Sequence, residues 1–162
     1  MIDVLFEQRV TQNTGLAAEA IWMAVNEAYE CSGRTEGISL PFGFLVLPIV
    51  FHQRTAKALS SKTSPGALYK ALAEDREITV GLQNRMKAMS TRTFDALSIA
   101  FHTDLLLLDP DHNRQLIPGR KSSPVAHVTD DVKVIMGASK RVGQAFAEMT
   151  PVQLAANLNI HF

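Results

Sequence analysis

The sequence predicts a mainly α fold with one β-hairpin, arranged as a winged-helix-like domain flanked by N- and C-terminal helices. Three observations predict it. Apolar residues recur at three- and four-residue intervals through 15–31 and again through 128–149. The period changes to that of strands at 105–118, and the short helical segments after Ser64 run directly into that stretch. At 162 residues the chain is expected to form a single domain over 1–162. Its helical part is placed at 1–60, its winged-helix-like part at 64–118 and its C-terminal helices at 128–160.

Residues 1–13 are mixed in character and read as an arm, packed or loose. Asn13 or Thr14 is a suitable N-cap for "GLAAEAIWMAVNEAYEC", in which Ala17, Ile21, Ala24 and Ala28 lie on one face. The glycines and polar residues of "CSGRTEG" stop this helix. Its small side chains let a neighbour come close, and the expected neighbour is the apolar stretch "SLPFGFLVLPIVFH" at 39–52. That stretch is far shorter than the roughly 20 apolar residues of a membrane span. Pro41 suits a first helical turn, whereas Pro48 is expected to end or kink the helix near Leu47. Being apolar all round, the helix belongs in a core or an interface, and Phe42, Phe44 and Leu45 are expected inside.

Ser64-Pro65 reads as a cap followed by an N1 proline for "GALYKALAED". "REITVGLQNRMKAM" carries Ile78, Leu82, Arg85 or Met86, and Met89 in helical phase. Ser90–Thr93 offers caps for "FDALSIAFHT", which aligns Phe94, Leu97 and Phe101. "LLLLDPDHNRQLIP" is two short strands about a turn, and "GRKSSP" a polar linker. "VTDDVKVIMGASKRVGQAFAEM" then places Val132, Ile135, Ala138 or Ser139, and Val142 in phase. Thr150-Pro151 caps the last short helix, "VQLAANLNI".

Sixteen basic and sixteen acidic side chains cancel, so no global field draws in nucleic acid or an anionic membrane. The lone Cys31 cannot form an intrachain disulfide, and no secretory pattern opens the sequence, so a cytoplasmic location is expected. His52, His102, His112, His127 and His161 with Cys31 lack the spacing of a zinc site, and no phosphate-binding glycine loop occurs. No cofactor is expected. "DPDHN" reads as a tight turn ahead of a calcium loop, Cys31 as a thiol at a helix end, and His52 as a boundary histidine. Asp130-Asp131 is assigned to helix capping. The candidate contacts for DNA or a partner are Arg85, Lys87 and Arg92 on the middle helices, Arg114 on the hairpin, and Arg120-Lys121 after it. Asp95, Asp104, Asp109 and Asp111 oppose them, and an ordinary solvated face explains the pattern as well. Charge reversal at Arg85, Arg92 or Arg120 is expected to leave folding intact.

The block "SLPFGFLVLPIVFHQRTAKAL", followed by "TSPGALYKAL", "FDALSIAFHTDLLLLDPDHNRQLIP" and "TPVQLAANLNI", resembles the middle component of bacterial three-component ABC ATPase systems, including the Lamassu-type small middle subunit. The resemblance runs nearly the length of the chain. It implies a non-catalytic accessory subunit of an SMC/Rad50-like ABC ATPase in antiphage or antiplasmid defence. By that resemblance it bridges the ATPase and an effector nuclease and helps hold the effector silent until foreign DNA is sensed. DNA is then met through the complex, and no membrane is involved. Two other classes stay open: a stand-alone winged-helix DNA-binding regulator, and a small hydrolase working through Cys31.

Overall fold

In the computed structural model, residues 13–64, 66–120 and 129–162 are described. Helix α1 (Thr14–Cys31) starts where the sequence expects. The Asn13 side chain accepts the Leu16 N–H at 2.9 Å, satisfying one of the donors that a helix start leaves unpaired. Its stripe of Ala17, Ala20, Ile21, Ala24, Val25 and Ala28 is buried.

The apolar block forms α2 (Leu40–Val50), so of the two expectations for Pro48 the helix end near Leu47 is corrected. Pro48 stands inside the helix, and the break comes at His52, whose extended backbone opens α3 (Gln53–Ser60). The balance of energies explains the continuation. An interior proline costs about 3 kcal/mol. Complete burial of Leu45, Leu47, Ile49 and Val50 contributes about 1.5–3 kcal/mol for each side chain. The Phe51 N–H closes the last turn on Leu47 O at 2.9 Å.

Three further boundaries differ from the sequence reading. Helix α4 (Ala67–Glu74) starts from Gly66 in the left-handed region, with no side-chain cap; the Ser64 hydroxyl instead accepts a bond from Lys70 Nζ at 2.7 Å. Pro65 lies outside the described residues. "REITVGLQNRMKAM" is not one helix but a 3₁₀ turn, Arg76–Ile78, then α5 (Leu82–Ala88). Gly81, at φ 72°, makes that break without the steric penalty a side chain would meet. Helix α6 (Ser90–His102) begins at Ser90, so Ser90 and Thr93 do not cap it. Their hydroxyls bond back to the Lys87 and Met89 carbonyls at 2.9 and 3.1 Å.

Strands β1 (Leu106–Asp109) and β2 (Gln115–Pro118) pair antiparallel, Leu108 opposite Leu116, as the change of period predicts. The outer side of β2 is stitched to the segment before α2: Ile38 and Leu116 exchange both backbone bonds, at 3.0 and 2.7 Å. Helix α7 (Asp130–Glu148) is capped by the Thr129 hydroxyl, with Asp130 and Asp131 in the first turn where the helix dipole favours carboxylates. Thr150 and Gln153 form a reciprocal capping box on α8 (Pro151–Leu158).

The core is one contiguous cluster to which every helix from α1 to α8 and both strands contribute. Helix α1 packs on α2, as expected, but more extensively on α7 and α6. The reason lies at Gly143. A Cβ there would stand 2.3 Å from the Ala24 carbonyl oxygen, so only glycine admits so close an approach. Gln144 fastens the same contact by donating to Glu27 at 2.8 Å.

Candidate partner-binding groove

Helix α2 is apolar on every side, yet neighbours cover only part of it. Phe42, Leu45 and Val46 face the core, as expected for the first two, while Leu40, Pro41 and the half-buried Phe44 reach the surface. Leu40 and Phe44 are one turn apart and stand on the same side of the helix. They form a ridge with a depression on either flank. One depression, about 460 Å³, is walled by Gln83, Met86 and Lys87 of α5 and by His161 and Phe162. The other, about 300 Å³, is walled by Phe94, Leu97, Phe101 and His102 of α6.

The walls are built. Gln83 and His161 exchange two bonds, the side-chain amide donating to the His161 carbonyl at 3.1 Å and accepting its N–H at 2.8 Å. Phe162 leans on Phe42 at 5.7 Å between ring centroids, and Phe42 stacks on Phe146 at 5.0 Å. On the opposite wall Phe94 meets Phe44 edge to face at 4.9 Å. Phe94 is nonetheless 62% exposed and Phe162 56%. The sequence stripe Phe94, Leu97, Phe101 thus divides: Leu97 is core, Phe101 half-buried and Phe94 open to solvent. Aromatic rings collected around an apolar floor mark an interaction site more strongly than scattered exposed side chains do. The groove was missed in the sequence because apolar periodicity registers which residues share a face and not whether that face is covered. Its one signal is a helix too apolar to have a solvent side.

Among the described residues the predicted basic contacts are spread over α5, α6 and the two ends of the hairpin. Arg85 is occupied structurally: its guanidinium donates to the carbonyls of Pro48 at 3.2 Å, Val80 at 2.9 Å and Ile78 at 3.0 Å. It therefore ties α5 to α2 across the Gly81 break, so charge reversal there is expected to cost stability, against the sequence reading. Lys87 is exposed on the groove wall, and Arg92 is half-buried on α6. Arg114 sits in the hairpin turn and Arg120 beyond the far end of the ladder, where its N–H meets the Asp104 carbonyl at 2.8 Å. Acidic groups interleave with both. Lys121 and His127 lie outside the described residues.

The remaining titratable groups serve local structure. The Asp109 carboxylate accepts the Asp111 N–H at 2.8 Å and faces His112 Nδ1 at 2.8 Å. These bonds, the backbone one first, hold it below the usual aspartate range. They also show "DPDHN" to be a turn closed on itself. Cys31 is exposed, and partial burial followed by the nearby Glu27 and Glu148 push its thiol upward, opposite to what a nucleophile needs. Among the described residues no group of three or more His, Cys, Asp or Glu is placed to hold a metal ion, and no helix is long and apolar enough to cross a membrane.

No curated protein and no solved structure matches the chain. A family model does, over residues 2–162, and it describes Middle Component 3 of ABC-three component systems. With the match spanning almost all of the sequence, the chain belongs to the Middle Component 3 family of ABC-three component systems.

Proposed function

We propose that this middle component is a non-catalytic accessory subunit that joins an SMC/Rad50-like ABC ATPase to an effector nuclease in a Lamassu-type antiphage or antiplasmid complex. In this reading the whole chain acts as one domain, and residues 64–118 supply its winged-helix-like part. The observation that carries the reading is the groove about Leu40 and Phe44, an open apolar surface walled by Phe94 and Phe162. A middle component has partners within its system, and an apolar, aromatic surface suits tight association where dispersed charges do not.

The mechanism is linkage. ATP or DNA shifts the ATPase between shapes, the middle subunit binds one shape better, and that preference is passed on as effector release. The subunit contributes a differential grip and no bond chemistry. The rival regulator reading needs a cationic surface of its own. Arg85 is committed to carbonyls, and Arg114 and Arg120 stand at opposite ends of the hairpin among aspartates.

Co-expression with the ATPase and effector encoded beside it tests the reading. Phe94→Asp, at an exposed position, is expected to leave the thermal transition in place while lowering recovery of the complex about tenfold or more. Undiminished assembly of Phe94→Asp overturns the assignment of the groove. Tight, steeply salt-dependent binding of labelled duplex DNA by the isolated chain overturns the accessory-subunit reading as a whole.

A further inference from the structure

We infer that the groove holds an amphipathic α-helix of another component, whose apolar stripe is flanked by acidic side chains. The inference rests on the groove being the partner surface and adds what fills it. Three observations select the occupant. First, helices α5 and α6 stand on opposite sides with their interior backbone groups bonded within the helices, and the His161 N–H and carbonyl beside α5 are taken up by Gln83. An extended segment laid between them would bury backbone donors and acceptors without partners, whereas a helix brings its own satisfied. Second, the floor is the one-turn ridge of Leu40 and Phe44 with a depression to each side. Such a ridge fits between the side-chain rows of a second helix, whose residues at three- and four-residue spacing then enter the depressions. Third, the charged side chains on the rim have one sign or none. Lys87 and His161 border one depression and His102 the other, and among the described residues no Asp or Glu side chain lines either. The His102 Nδ1 stands 2.7 Å from the Ser98 carbonyl, which can only accept, so Nδ1 carries a proton and that bond orients the ring. Asp95, next to Phe94 in sequence, borders neither depression. A helix with acidic flanks meets this rim favourably, and one with basic flanks is repelled by Lys87.

The test uses the assembled complex. Phe94→p-benzoylphenylalanine places a photocross-linker on the groove wall, and mass spectrometry locates the joined peptide. The expected peptide belongs to another component, carries apolar residues at helical spacing and is net acidic. Lys87→Glu should weaken association about tenfold, and exchanging an acidic residue of the joined segment for lysine should restore it. A joined segment that is net basic or lacks helical spacing, a cross-link to a second copy of this chain, or an indifferent Lys87→Glu overturns the acidic-helix occupant. In each of these cases Phe94→Asp still reports separately on whether the groove is the partner surface. An intact complex with no cross-link to any component removes both.

Discussion

Placing one methyl group at position 143 tests the packing of this fold where it is tightest. In an exposed helix interior, glycine to alanine is stabilising by about 1 kcal/mol, since the backbone loses less freedom on folding. At Gly143 the added Cβ would stand 2.3 Å from the Ala24 carbonyl oxygen and 3.0 Å from both the Ala24 carbonyl carbon and Glu27 Cβ. The first contact is short by about 1 Å, and its partner is backbone that no rotamer change can move aside. Helices α1 and α7 must separate or slide along the face where Ala24, Ala138 and Val142 are buried. A gap of about 1 Å forfeits a quarter to a half of the dispersion attraction of the atoms involved. Overpacking of this kind costs about 1–3 kcal/mol, and more where backbone is the obstacle. The gain in propensity is smaller, so Gly143→Ala should lose about 2 kcal/mol net. That corresponds to a fall of about 4–8 °C in Tm for a chain of this size. Gly137→Ala in the same helix is the control, because its Cβ would meet Ser60, the Cβ at 3.3 Å and the Cα at 3.8 Å, with no contact as short as that at Gly143. It should be neutral or slightly stabilising. Urea unfolding of the pair, compared at constant slope, measures the difference. If Gly143→Ala is as stable as the parent chain, α1 and α7 do not approach at this glycine and the packing described above is wrong.

Two further outcomes follow from side chains whose partners are visible. Arg85→Ala leaves the Pro48, Val80 and Ile78 carbonyls without their donor, so a loss of about 2 kcal/mol is expected, whereas Arg120→Ala, at an exposed position, should change the urea midpoint little; equal effects would deny Arg85 its structural role. Asp109 is held below its ordinary value, so its contribution is fully present above the unfolded-state value of about 3.9 and is lost as pH falls through the depressed folded-state value. Asp109→Asn should therefore flatten the part of the acid-unfolding curve below that point, and a mutant curve parallel to that of the parent chain refutes the assignment.

Much of the fold can be read from residue pattern alone. The first helix and its Asn13 cap, the hairpin and the capping box at Thr150 depend on interactions within a few residues, and short-range chemistry is written in short-range sequence. The failures are equally specific. Pro48, expected to end or kink its helix near Leu47, does not end it, and Ser90 and Thr93, read among the caps of the next segment, bond backwards instead. In each case burial of neighbouring side chains outweighs a local preference worth only a few kcal/mol.

The candidate site divides in the same way. Sequence alone determined a neutral chain without a recognisable catalytic or phosphate-binding motif, an uncommonly apolar second helix and the order of the elements around it. Only the tertiary structure decided that Arg85 is tied to carbonyls, that Gly143 brings α1 against α7, and that the Leu40–Phe44 side of α2 is left open between α5 and α6. Helical period says which residues travel together. Which of those faces meets a neighbour and which meets water depends on contacts between segments far apart in the chain, and no local pattern encodes them.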